Sequence, residues 1–171
     1  MKAKIIITIL FFIVLDYISQ SYIINVSPSE PLGIYKIKRN VQFQRGDIVA
    51  VCLPSKIQQI GLKRAYLLPG IRCGETAPLI KTIIAMPGDI VILKDDEIIV
   101  NDKILPYGTK NFDSEGRKLA KFSRGIYKNI NKYWLIGVSS PDSWDSRYWG
   151  MVDKKYLLYK VQYWRGFSLD K

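Results

Sequence analysis

An apolar run at residues 5–15, IIITILFFIVL, preceded by Lys2 and Lys4, constrains this chain more than any other feature. As a helix it rises only about 16 Å, short of a hydrocarbon core of about 30 Å. Extension to Val26 gives 22 residues, interrupted by Asp16, Ser19 and Gln20. The segment has two readings. It is a cleaved signal peptide with Ser19 and Ser21 flanking the processing point, or an uncleaved signal anchor whose polar second half lies in the interface. The absence of an A-x-A-like site favours the anchor. Both readings export the remainder of the chain: the flanking lysines stay in the cytoplasm, and a long downstream domain translocates whatever its charge. The expected division is a membrane anchor or signal segment at 1–26 and an exported β-rich domain at 27–171. That domain lies on the periplasmic, extracytoplasmic face of the inner membrane, or free in the periplasm if the N-terminus is cleaved.

The exported part reads as short strands broken by Gly, Pro and Asn/Asp turns. Strands are expected at 34–38, 48–53, 79–86, 90–93, 97–100, 133–138 and 157–163, where β-branched and aromatic residues alternate with polar ones. Gly-Asp-Ile-Val occurs at 46–49 and again at 88–91. Each copy is a tight turn releasing a strand, and Pro87-Gly88 suits the central positions of a type II turn. Residues 54–67 are a helix candidate, with Ser55 as cap and Ile57 and Ile60 on one face. Residues 106–125 are polar and turn-rich, an excursion from the sheet. The fold class is therefore mainly β: an antiparallel sheet with an N-terminal anchor helix and one short additional helix.

Composition narrows the chemistry. Lys and Arg number 26 against 15 Asp and Glu, a net charge of +11. No zinc-ligand spacing, helix-turn-helix pattern or basic block with interleaved aromatics accompanies it, so a solvated basic surface is favoured and no nucleic-acid partner is expected. There is no histidine. That removes Ser-His-Asp and Cys-His catalysis and His-ligated metals; no metal or cofactor is expected. Cys52 and Cys73 are either one disulfide or two buried thiols.

A serine nucleophile in such a chain needs another base, and a desolvated lysine is the natural one. Lys81 fits best, flanked by Leu79, Ile80, Ile83 and Ile84 in an expected strand. By itself it also fits a lysine pointing out of a half-buried strand. Ser27 and Ser29 stand just after the apolar segment, in NVSPSEPLGIYKI, where Ser, Pro and Gly are equally the residues of a turn.

Three segments in order, SPSEPLGIY, LIKTIIAMPGDIV and SWDSRYWG, with RGDIV between the first two, resemble the boxes of the type I signal peptidase family, membrane-anchored proteases with a Ser/Lys dyad. Within it the pattern Ser-x-Pro-x-Gly-x-Tyr, RCGETAPLIKTIIAMPGD and LPYGTKNFDSEGRKLAKF are closer to the conjugative-transfer, TraF-type branch. The sequence departs from housekeeping signal peptidases at Glu30, where Met is usual, at Thr82, in place of Arg, and at Gly137-Val138-Ser139, in place of Gly-Asp-Asn. The resemblance implies a signal-peptidase-like fold with Ser29 as nucleophile and Lys81 as base. It further implies an oxyanion hole from the Ser27 hydroxyl and the Ser29 N–H, Ser143 orienting the lysine, and Asp145 and Arg147 bracing the site. For the last two a structural ion pair is favoured. The implied partner is a membrane-inserted precursor with small residues before the scissile bond, such as a pilin. Its acyl-enzyme is resolved by water or, as in some of that branch, by an amine that closes a ring. The competing readings are a non-catalytic, membrane-anchored envelope component of a conjugation or secretion apparatus, and a self-cleaving Ser/Lys repressor relative. The apolar N-terminus and the lack of a DNA-binding module argue against the latter.

Overall fold

A computed structural model describes residues 2–128 and 131–167; residues 129–130 and 168–171 of the expected 27–171 domain lie outside the described residues. The apolar N-terminus forms one helix, α1 (Lys2–Ser21), about 30 Å long. Its side chains are exposed from Lys4 to Gln20, so no face of it packs on the domain. The stretch Lys4–Ser21 is long and apolar enough to cross a membrane. Two guanidinium groups cap its C-terminal carbonyls: Arg72 Nη2 donates to Ser19 O at 2.5 Å and Arg39 Nη2 to Gln20 O at 2.9 Å. Cations suit that negative end of the helix dipole.

The strands come next as β1 (Tyr22–Asn25), β2 (Gly33–Lys38) and β3 (Ile48–Val51), then α2 (Ser55–Lys63), β4 (Leu79–Ala85), β5 (Val91–Leu93), β6 (Ile98–Val100), β7 (Lys103–Leu105), β8 (Gly125–Tyr127) and β9 (Trp134–Ile136). The one-turn α3 (Ser146–Trp149) and β10 (Leu157–Gly166) close the order. All pairings are antiparallel, in a six-stranded sheet β1-β2-β10-β3-β4-β9 and a four-stranded sheet β7-β6-β5-β8. The mainly β, antiparallel class with an N-terminal helix is the observed one.

Alternation accounts for these strands. In β2 the residues Gly33, Tyr35 and Ile37 are buried and those between them are not. In β4 the reason is different: Ile80 packs with Tyr35 and Val161, Ile83 with Val49 and Leu135, and Ile84 and Ala85 with Trp134 and Val91. One strand thus serves all three core clusters, and Lys81 is carried into the middle of them.

Several local expectations need correction. Residues 22–25, grouped with the anchor by their apolar character, are a strand registered on β2, with Ile23 and Asn25 buried and Ile24 exposed. β7 and β8, each three residues long, are too short for a period of two to be read. Ser55 does not cap α2; the N-cap is Pro54, with no side-chain cap. The buried residues of α2 are Gln58 and Gly61, while Ile60 is exposed. Gln58 is drawn inward by two hydrogen bonds, to Leu53 O and from the Thr76 hydroxyl. Cys52 and Cys73 form a disulfide, which ties the end of β3 to the loop bearing Arg72.

The repeated Gly-Asp-Ile-Val turns share one device. Gly46 and Gly88 have φ of +88° and +96°, open to glycine without cost. Each following aspartate accepts from the amide three residues back, Asp47 from Gln44 and Asp89 from Met86.

Candidate active site

The loop bearing Ser27 and Ser29 joins β1 to β2 and is wound around Asn25. Its amide nitrogen lies 2.9–3.0 Å from the carbonyls of Ser27, Glu30 and Pro31, and its Oδ1 accepts from the Ser27 N–H at 3.1 Å. Tyr35 donates its hydroxyl back to Pro31 O at 2.8 Å. Gly33 has a φ of +151°, and a Cβ there would meet Arg165 O at 2.3 Å. The spacing Ser-x-Pro-x-Gly-x-Tyr is thereby a closed loop: Pro supplies the acceptor, Gly the close approach to β10, and Tyr the tie. Nothing in the sequence marks Asn25 as different from any strand-end polar residue.

This loop lays Ser29 over β4. Lys81 Nζ is 2.6 Å from Ser29 Oγ, although 52 residues separate them. Both are buried, Lys81 to 2% exposure and Ser29 to 4%. Desolvation, opposed by the charges of Asp145 and Glu30 and reinforced by Arg147, lowers the Lys81 ammonium from 10.5 to about 8. A buried amine in apolar surroundings gives up its proton at a pH where an exposed one does not. Ser27 Oγ is 3.1 Å from Ser29 Oγ and 3.5 Å from the Ser29 amide nitrogen, so the Ser27 hydroxyl and the Ser29 amide lie together beside Ser29 Oγ.

Asp145 and Arg147 form a buried bidentate pair, Nε to Oδ1 and Nη2 to Oδ2, each at 2.8 Å. Arg147 also donates to Gly108 O and Ser143 O, and Asp145 accepts from the Gly137 N–H at 3.1 Å. The pair thus ties α3 to the end of β9 and to the 106–125 excursion. Every donor it uses has a partner, the condition under which a buried ion pair is tolerated. Ser143 is brought to the site but its hydroxyl makes no hydrogen bond; the implied contact with the Lys81 ammonium is not among the bonds formed. A Cβ on Gly137 would lie 2.3 Å from Ser143 Oγ and 2.6 Å from Ser29 Cβ, so glycine alone fits between the two serines.

Glu30, noted in the sequence only as a departure, is 1% exposed. Its Oε1 accepts from the Thr82 hydroxyl at 2.8 Å and from the Val138 N–H at 3.5 Å, while Oε2 has no partner. Burial pushes its carboxyl up, against those bonds and the charge of Lys81. Thr82 and Val138 also line a cavity of about 470 Å³ with Ile83, Ile84 and Tyr107. It adjoins a second of about 410 Å³, at Tyr107 and Val138. Together they make a trough lined by Thr82, the chain neighbour of Lys81, and by Val138, whose N–H bonds Glu30. A larger cavity of about 620 Å³, between α2 and α3, contains none of the site residues. No cluster of metal-ligating side chains occurs among the described residues.

An apolar N-terminal helix long enough to cross a membrane, ahead of an antiparallel β-domain in which a serine touches a desolvated lysine, gives the chain a peptidase-like build. The chain belongs to the family described as signal peptidase, peptidase S26, whose family model matches residues 1–164. It is 35% identical to the conjugal transfer protein TraF of Agrobacterium fabrum over 139 residues, 80% of this chain and 78% of that one. It is likewise 35% identical to the TraF protein of Agrobacterium tumefaciens over 146 residues, 82% of this chain and 80% of that one. To a signal peptidase I of Bacillus licheniformis it is 28% identical over 168 residues, 90% and 80% of the two chains.

Proposed function

We propose that this protein is a membrane-anchored serine endopeptidase that cleaves a membrane-inserted precursor through a Ser29/Lys81 dyad. The observation that carries the reading is the 2.6 Å approach of Lys81 Nζ to Ser29 Oγ in the buried interior. With its amine neutral, Lys81 takes the hydroxyl proton as Ser29 Oγ attacks the scissile carbonyl. The oxyanion forms beside the Ser27 hydroxyl and the Ser29 N–H, which donate to it. On collapse, Lys81 passes its proton to the leaving amine and the acyl group stays on Ser29 Oγ. The ester is then resolved by water or by an amine, with Lys81 again as base.

Placement favours a membrane-inserted substrate. Four residues of β1 and a short loop separate the end of α1 from Ser29. A bond just outside the bilayer, in an extended segment lying in the trough, is within reach. With Lys2 and Lys4 cytoplasmic, the domain that follows α1 works on the periplasmic face. The similarity to the TraF proteins suggests a pilin-like precursor of a conjugation system, cleaved and released or cyclised.

The test is kcat/KM for an internally quenched peptide with an Ala-x-Ala cleavage site, measured from pH 6 to 10 on the detergent-solubilised chain. The free enzyme's base sets that profile, so the rate should rise with a midpoint near pH 8, the value to which burial lowers Lys81. Lys81→Arg, charged at every usable pH, and Ser29→Ala should fold and show no turnover. Near wild-type processing by Lys81→Arg would discard Lys81 as the base and with it the dyad, whereas a wild-type chain with no turnover at any pH would promote the non-catalytic envelope component.

A further inference from the structure

We propose that Glu30 and Thr82 are a positioning pair for the Ser29/Lys81 dyad, a second hydrogen-bonded rung between the nucleophile loop and the lysine strand. The inference rests on the dyad reading of the site. Glu30 is next to Ser29 in the chain, and Thr82 is next to Lys81. The same two segments are therefore joined twice, by Lys81 Nζ to Ser29 Oγ at 2.6 Å and by Thr82 Oγ1 to Glu30 Oε1 at 2.8 Å. The Val138 N–H reaches the same oxygen at 3.5 Å, adding the residue next to Gly137, which separates Ser29 from Ser143.

The two rungs have different chemical lives. The Ser29–Lys81 bond is consumed in each turnover, because the serine proton moves to the amine and the serine oxygen then becomes an ester oxygen. The Glu30–Thr82 bond takes no part in proton transfer. It holds the loop in register on β4 through acylation and while the lysine turns to the second nucleophile. Positioning of that kind acts on the chemical step rather than on substrate binding.

The burial of Glu30 points the same way. One carboxylate oxygen is enclosed without a partner, a cost that an apolar side chain of similar length would avoid. Stability alone therefore does not account for a carboxylate at this position, whereas its bond to the residue beside Lys81 does. The charged and titratable groups that act with Glu30 are Lys81 and the hydroxyl of Tyr35; Asp145 and Arg147 act on Lys81, and Arg147 gives its donors to Asp145, Gly108 and Ser143, leaving Thr82 as the side-chain donor to Glu30.

The experiment compares Thr82→Val, Thr82→Ser and Glu30→Met with wild type at pH 9, reading kcat and KM on the quenched peptide together with the thermal midpoint. Thr82→Val keeps the volume and removes the donor; Thr82→Ser keeps the donor; Glu30→Met removes the acceptor and the unpartnered oxygen. Expected are losses of about three- to tenfold in kcat for Thr82→Val and Glu30→Met, the weight of one hydrogen bond. KM should stay within about twofold, the midpoint of Glu30→Met should not fall, and Thr82→Ser should retain kcat. A structural role would lower the midpoint instead and leave kcat of the folded fraction alone. Wild-type kcat in Thr82→Val, or equal slowing in Thr82→Ser, overturns the pair; if Glu30→Met fails to fold, Thr82→Val decides by itself. Ser29→Ala separates the two proposals. If it is inactive while Thr82→Val is fully active, only the positioning pair falls; if it still turns over, the dyad itself is wrong.

Discussion

Replacing Lys81 with Met should make the protein more stable while ending turnover. Lys81 is 2% exposed, and burial, partly offset by Asp145 and Glu30, moves its ammonium from 10.5 to about 8. The distance between those values, at about 1.36 kcal/mol per pH unit, is about 3 kcal/mol of folding free energy lost to keeping the charge inside. The unfolded chain holds that proton up to about 10.5 and the folded chain only to about 8. Between the two the unfolded state binds more protons, so wild-type stability rises with pH across that window. Below it both states are charged, and the cost is present in full.

Met has similar length and no charge, so the variant escapes the cost at every pH. It also loses the bond to Ser29, which returns about 1 kcal/mol; the attraction of Asp145 and Glu30 is already inside the shift to about 8. The expected net gain is about 2 kcal/mol at pH 7. Urea unfolding of wild type and Lys81→Met at pH 7, 8, 9 and 10, in detergent with the disulfide intact, measures the difference. Titrations common to both proteins cancel. The gap should shrink steadily above pH 8 and vanish or reverse near pH 10. A variant less stable than wild type at pH 7, or a gap independent of pH, would mean that Lys81 is solvated in the fold and is no neutral base near pH 8.

Ser27→Ala should lower kcat by roughly 10²–10³ with little change in KM, because an oxyanion donor is used mainly in the transition state; Ser27→Thr, which keeps the hydroxyl, should retain more, and steady-state kinetics on the same peptide distinguishes them. Arg147→Met should destabilise the fold by about 3–5 kcal/mol, since it strands the buried Asp145 carboxylate; the loss is read as a lower urea midpoint, and Arg147→Lys should recover only part of it because one ammonium cannot replace the fork.

Much of this molecule was legible in the order of its residues, because the physics involved is local. The apolar run, the alternation in β2, the tight turns at Gly46 and Gly88, and an apolar strand enclosing Lys81 each depend on neighbours a few positions away. The absence of histidine leaves lysine as the natural base for a serine, whatever the geometry. Local signals also misled. Tyr22–Asn25 continued the apolar character of α1, and only pairing with β2 made it a strand. The inward face of α2 was set by what lay beneath it, Leu53 O and Thr76 for Gln58, Leu67 and Trp144 for Gly61.

Tertiary structure alone decided what touches what. Ser29 meets Lys81 and Glu30 meets Thr82, each across 52 residues, and Gly137 makes room for Ser29 and Ser143. It likewise decided that Cys52 and Cys73 are bonded, and that Ser143 lies at the site with its hydroxyl unpaired. The physical reason is one of range. Turn geometry and strand alternation are fixed by covalent neighbours, whereas hydrogen bonds and desolvation depend on distances of a few ångströms that exist only once β1, β4 and β9 have packed together.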